Sequence, residues 1–252
     1  MSAVVQRASV DIPTPDGTAD AYLTHPVDGG PHPAVLLYMD AFGPRPPLES
    51  MADRLAAAGY VVLVPNVFYR YGKAPVVELP EFIDLAERPE ILENIQPAAQ
   101  TLTPERAMRD AAAYLDWLAG SQLATDGPVG LTGYCMGAGL AFRTAGTYPD
   151  RVAAAGGFHG AYLATDAPES PHLLAPRITA ELYFGHADQD AANPAEQISR
   201  LEQALSAAGV RHRSETYTGA QHGYTQADTA SYNEEAAERH WEALLALFDR
   251  SL

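Results

Sequence analysis

Cys135, His222 and one of two aspartates, Asp188 or Asp190, are the side chains whose types and order in this sequence could do nucleophilic chemistry. Cys135 lies in the run Gly133-Tyr134-Cys135-Met136-Gly137, where the apolar stretch 129–132 gives way to a segment of helical period. A G-x-C-x-G turn between strand and helix is the nucleophile-elbow pattern with cysteine in place of serine. Its glycines answer a steric need, because the strained turn brings strand and helix too close together for a Cβ. At the helix N-terminus, free N–H groups and the helix dipole favour a thiolate and a developing oxyanion. Such a nucleophile needs a base and an acid to orient it, following it in the order acid, then histidine. Asp188 and its rival Asp190 follow an apolar run that ends at Phe184, and His222 sits in the Gly-flanked stretch Gly219-Ala220-Gln221-His222-Gly223. The sequence favours Asp188, which stands closer to the end of that run.

These residues need a scaffold, and the pattern supplies one. Short apolar or β-branched runs at 34–38, 61–64, 129–132, 152–156 and 178–184 alternate with helical periods at 48–58, 103–120, 136–147, 194–208 and 233–248. That alternation predicts an α/β fold, a mostly parallel sheet of seven or eight strands with helices on both faces. The more polar stretches 4–12 and 19–25 read as an opening antiparallel pair, and 211–218 as the far edge. Each candidate catalytic residue then falls at a strand's carboxyl end, the edge where such sheets bind ligands. Residues 69–102 carry several prolines and little periodicity, and are expected to form an excursion at the mouth of the site within a single domain, 1–252.

Composition narrows the function classes. The 252 residues include 32 acidic side chains against 16 Lys plus Arg, a formal net charge of −16, and Lys73 is the sole lysine. Nucleic acid and anionic lipid are therefore disfavoured partners. A hydrophobic share of 47% is ample for a core, and a lone cysteine excludes an intrachain disulfide or a thiolate zinc cage. His159, His186, Asp188 and His222 lack the tight spacing of a metal site, and Gly137-Ala138-Gly139 lacks the third glycine of a dinucleotide fingerprint, Phe142 standing there. No metal or cofactor is expected. The stretch 1–10 shows no leader pattern and no apolar run reaches membrane-spanning length, so a cytoplasmic monomer or small homo-oligomer is the expectation.

The cysteine elbow, the Asp188 turn, the His222 turn, Pro33-Ala34-Val35-Leu36-Leu37 and Gly59-Tyr60-Val61-Val62 together resemble the dienelactone hydrolase (carboxymethylenebutenolidase) family of the α/β-hydrolase superfamily, over nearly the whole chain. The resemblance implies an ester or lactone hydrolase with Cys135 as nucleophile, His222 as base and Asp188 as its orienting acid. Peptide hydrolysis by the same set and a non-catalytic ligand-binding role are the alternatives. The oxyanion donors would be the backbone N–H groups of Met136 and Ala41. Asp40 stands where the family has a glutamate that holds the resting thiol; being shorter, it is expected to reach Cys135 at longer range or through water. Gln226 stands where the family has a carboxylate-binding arginine, which Arg45 or Arg70 could replace. Phe42, Tyr69, Tyr134, His159 and Tyr224 complete the expected pocket, whose aromatics favour a neutral ester or lactone.

Overall fold

The computed structural model describes residues 4–27 and 30–252; residues 1–3 of the stretch 1–10 lie outside the described residues. In chain order the elements are β1 (Val5–Thr14), β2 (Gly17–Pro26), β3 (Ala34–Tyr38), α1 (Pro46–Ala57), β4 (Val61–Pro65), α2 (Glu90–Ala99), α3 (Pro104–Ala119), β5 (Val129–Tyr134), α4 (Met136–Thr147), β6 (Val152–Phe158), β7 (Glu181–Gln189), α5 (Ala195–Ala207), β8 (His212–Gln221) and α6 (Glu234–Asp249), with short 3-10 turns at Pro149–Arg151 and Pro171–Arg177. The strands form one sheet in the order β1-β2-β4-β3-β5-β6-β7-β8. β1 pairs with β2, and β2 with β4, in antiparallel fashion; the other neighbours are parallel.

The apolar runs become the sheet's centre because helices cover both faces. Every residue of β3, β4 and β5 is buried, so an alternating pattern would have placed polar groups in the core. α4 packs on β3, β5 and β6 with α3 beside it, whereas α1 packs on β2 and β4 and α6 on β6 and β7. α1 and α6 are clipped together by a bidentate Arg54–Glu238 pair at 2.6 Å and by Arg54 lying over the Trp241 ring. Helix starts follow local chemistry. Thr103 Oγ1 accepts from Arg106 N ahead of Pro104, and Asn233 Oδ1 accepts from Ala236 N ahead of α6.

Two strands differ from the sequence expectation, and the difference matters at the site. The run 178–184 does not begin a strand at Ile178, which instead caps the preceding 3-10 turn; β7 starts at Glu181 and continues through Gly185 to Gln189. Gly185 is a packing residue in the strand and not a stop: a Cβ there would lie 2.8 Å from the Tyr224 hydroxyl and 2.9 Å from the Phe158 ring. β8 likewise runs on to Gln221, and α2 forms inside the excursion 69–102 despite Pro97.

Candidate active site

Parallel strands put their carboxyl ends on one edge, and that edge collects the candidate residues. Cys135 is the first residue after β5, His159 the first after β6, Asp190 the first after β7 and His222 the first after β8. Asp40 comes two residues after β3.

Cys135 occupies a backbone conformation foreign to most L-residues, φ 54° and ψ −118°. The surrounding packing imposes it. A Cβ on Gly133 would lie 2.0 Å from the Gly137 carbonyl oxygen, and one on Gly137 would lie 2.5 Å from that of Met39. The turn is pinned from both sides, since Cys135 N donates to Phe158 O at 3.2 Å and Cys135 O accepts from Ala161 N at 3.3 Å. Met136 opens α4, where first-turn N–H groups have no intrahelical acceptor.

The histidine's partner is Asp190, which corrects the expectation of Asp188. Pairing of β7 with β8 persists to Gln189 opposite Gln221, so the next residue on each strand, Asp190 and His222, emerge side by side. His222 Nδ1 and Asp190 Oδ2 are 2.6 Å apart. Asp190 is held in turn by Ala192 N on Oδ1 at 2.9 Å. Asp188 falls at the register shift between Ala187 and Gln189, is exposed, and accepts from Gly219 N at 2.9 Å. The expected loop after Phe184 hid this, because the continuing strand moves the true strand end five residues downstream. Burial works against a charged His222, but its hydrogen bonds to Asp190 and Cys135 and its electrostatic attraction to both outweigh burial and push it up to about 10. With Nδ1–H committed to Asp190, Nε2 is the ring nitrogen left for Cys135.

Asp40 is buried and shared among others. Its Oδ1 accepts from Phe42 N and from Arg45 Nη1, both at 2.8 Å, while Oδ2 makes no hydrogen bond. Its pKa is raised, first by burial, against the opposing pull of Arg45. Arg45 is equally committed. It gives Nε to Asp228 at 2.7 Å, Nη1 to Asp40 and the Gly43 carbonyl, and Nη2 to Gln226 Oε1 at 3.1 Å and Asp228. No N–H of this guanidinium remains for a substrate carboxylate. Arg70 is no substitute, because it pairs with Asp16 and Asp110 beneath the Tyr69 ring, where Tyr69 itself bonds Thr14 and Asp110.

A cavity of about 490 Å³ opens over Cys135 and His222, and its wall includes Asp40, Ala41, Phe42, His159 and Gln226. Arg45, Tyr69, Arg70, Tyr134 and Tyr224 are absent from that wall, contrary to the expected pocket. Tyr134 and Tyr224 are buried in the core, where their hydroxyls meet His240 at 3.1 Å and the Gly185 carbonyl at 3.0 Å. The wall residues that sequence reasoning missed include Ile83, Leu85 and Leu92 of the excursion, and Tyr162. Ile83 is tied to the His222 loop by its N–H to Asp228 O at 2.8 Å and by a bridge to Thr229. The available signal was the scatter of large apolar residues through the excursion, Phe82, Ile83, Leu85, Ile91 and Leu92 among them. Among the described wall residues there is no lysine or arginine, and Asp40 and Asp84 are both present.

The sheet order and the cysteine-bearing strand-to-helix turn define an α/β-hydrolase fold. A family model for the dienelactone hydrolase family matches residues 19–252, and the chain belongs to that family. It is 30% identical to a "Putative carboxymethylenebutenolidase" of Synechocystis sp. (strain ATCC 27184 / PCC 6803 / Kazusa), with 100% of each chain covered. Among solved structures, a "Putative Dienelactone Hydrolase" from Klebsiella pneumoniae subsp. pneumoniae MGH 78578 superposes with TM-score 0.85 at 23% identity, covering 98% of this chain and 99% of that one. A dienelactone hydrolase-like promiscuous phosphotriesterase from metagenomic libraries gives 0.82 at 22% identity, with 98% of each chain covered. The chain is thus an ester or lactone hydrolase acting on small molecules. Among the described residues, no helix is long and apolar enough to cross a membrane.

Proposed function

We propose that this hydrolase works through a thioester on Cys135, with His222 as acid and base and Asp190 as the residue that fixes its tautomer. The observation that carries the reading is the 2.6 Å His222–Asp190 contact, delivered by matched strand ends to the mouth of the cysteine turn. In the resting pair the shared proton sits on His222, and the Cys135 sulfur attacks the ester carbonyl. The N–H groups of Met136 and Ala41 stabilise the tetrahedral oxyanion. Collapse expels the alkoxide, which takes the proton from His222 and leaves an acyl-cysteine. His222, neutral again, removes a proton from water, whose oxygen attacks the thioester; the acid departs and the sulfur returns to its resting state. Asp40 has a supporting part: held by Phe42 N and Arg45, it fixes the loop after β3 that carries the Ala41 N–H.

The preferred substrate is uncharged near the reacting carbonyl. A wall with two carboxylates and no lysine or arginine disfavours an anionic lactone such as dienelactone, since Arg45 has every N–H engaged and Arg70 lies outside the wall, paired with Asp16 and Asp110. A thiol nucleophile also needs a reducing compartment, which favours the cytoplasm. The test is a panel of p-nitrophenyl esters and lactones, including dienelactone, with wild type, Cys135→Ser and Cys135→Ala. Wild type is expected to turn over neutral esters and to show an acyl adduct by intact mass, and Cys135→Ala to lose at least about 10³-fold in kcat. Turnover surviving in Cys135→Ala overturns the mechanism.

A further inference from the structure

Sheet register places Asp190 beside His222, but it stops short of the loop that carries Ala41. The pairing of β3 with β5 ends at Tyr38 opposite Gly133, two residues before Asp40. β3 and β8 are separated by three strands, about 19 Å of sheet at roughly 4.8 Å per step. Residues 40–43 and 223–229 have both left the sheet, and both contribute to the cavity wall. Strand pairing therefore leaves open how the one loop stands against the other.

Arg45 is the side chain that joins them. It is the N-cap residue of α1, and its carbonyl accepts from Leu48 N and Glu49 N at 3.0 and 3.1 Å, so the side chain starts from a fixed base. The buried guanidinium gives Nη1 to Asp40 and Gly43 in the first loop, and Nε and Nη2 to Asp228 and Gln226 in the second. A planar group with five donors fixes distance and angle together, which a flexible ammonium does not. One cation also stands between two carboxylates that are largely withdrawn from water, Asp40 and Asp228. Without it their repulsion would drive the loops apart. The first loop carries Ala41, the oxyanion donor of the proposed mechanism next to Met136, and such a donor loses much of its effect when it is displaced by fractions of an ångström.

We propose that Arg45 is a positioning residue for acyl transfer: it clamps the Ala41 loop to the loop that follows His222, and so holds the oxyanion hole in place before substrate enters. The inference rests on the hydrolase reading above. It assigns the buried arginine to the transition state of acylation and not to recognition of a substrate carboxylate.

Two reactions of the same sulfur test it. Acylation by p-nitrophenyl butyrate, read as kcat/KM, passes through a tetrahedral oxyanion. Alkylation by iodoacetamide does not: the sulfur attacks a saturated carbon, the C–S bond forms as the C–I bond breaks, and iodide leaves. Both need a reactive Cys135, so the ratio of the two rate constants at one pH cancels damage to the fold or to the Cys135–His222 pair. In Arg45→Met, which keeps an apolar stem without the donors, the ratio is expected to fall about 10- to 100-fold from wild type. Arg45→Lys, with its charge but not its fork, falls by a smaller factor. Asp228→Asn weakens the clamp on one side only, is expected to lower the ratio about five- to tenfold, and carries the test alone if the Arg45 variants do not fold. A ratio within threefold of wild type in the folded variants overturns the proposal, whether both reactions slow together or neither does. That failure is separable from failure of the hydrolase reading, which would show as butyrate turnover persisting in Cys135→Ala.

Discussion

The floor and the roof of the cavity are built by different means. The floor, Cys135 with the Asp190–His222 pair, hangs from strand ends whose side chains belong to the main core, and its geometry is set by backbone contacts that no rotamer change can relieve. The roof comes from the excursion 69–102 and rests on a separate small cluster, Ile83, Ile91 and Ile95 packed against Ala41, Phe42, Val77 and Leu79. A reaction needs its nucleophile, proton carrier and oxyanion donors held to within fractions of an ångström, which covalent backbone and sheet register can supply. Selection among substrates requires only a surface of suitable shape and polarity. Such a surface can sit on a few side chains and can change without unfolding the rest.

The largest expected effect is therefore in the floor. Gly137→Ala would push a Cβ against the Met39 and Tyr38 carbonyl oxygens, at 2.5 and 2.6 Å, and both belong to the backbone at the end of β3. Neither side can yield cheaply. Unfolding measurements are expected to show a loss of at least about 3 kcal/mol, or no soluble protein. A variant with near-native stability would mean the turn is held by side chains after all.

Next in size is the acid. Asp190→Asn keeps the shape but can present its amide N–H₂ to Nδ1, favouring the wrong tautomer, and is expected to lower kcat about 10²- to 10⁴-fold. Asp188→Asn, which touches only the Gly219 N–H at the surface, should stay within about threefold of wild type. If the two variants exchanged these outcomes, the sequence expectation would be restored against the geometry.

A smaller effect concerns pH. His222 is raised from 6.5 to about 10 in the fold, so the folded chain holds its proton where the unfolded chain has lost it. The associated stability is fully present below pH 6.5, declines as pH rises through the interval and is gone above about 10. Urea unfolding between pH 6 and 10.5 should therefore show a steeper decline for wild type than for His222→Gln. Parallel curves would show that the floor's charges contribute nothing to the fold's stability.

The same division explains what could be read from the sequence. The elbow was legible because backbone crowding leaves a mark in residue type: only glycine fits at Gly133 and Gly137. The sheet was legible because burial on two faces demands continuous apolar runs. The Asp188–Asp190 choice was not, since it turns on how far β7 and β8 stay paired, and Gly185 reads as a stop when it is a close-packed strand residue. Arg45 looked like a free cation because sequence does not show that Asp228, 183 positions away, returns to meet it. The roof left the weakest trace. α2 is one short helix whose inner face, Ile91 and Ile95, has its partner, Ile83, in a loop.

The smallest expected effect probes that roof. Leu92 lies on α2 in the cavity wall and is 51% exposed, so much of its surface remains in contact with water in the free protein. Truncation to alanine leaves no internal void and should change unfolding free energy by no more than about 0.5 kcal/mol. A bound ester would cover that surface, and loss of part of the contact is worth roughly 1 kcal/mol, or about fivefold in affinity. The contact is the same before and during acyl transfer, so Leu92→Ala should raise KM about two- to fivefold with kcat within twofold. An effect confined to kcat would mean the roof takes part in aligning the reacting carbonyl with Cys135. The separation between a floor that reacts and a roof that selects would then fail at Leu92.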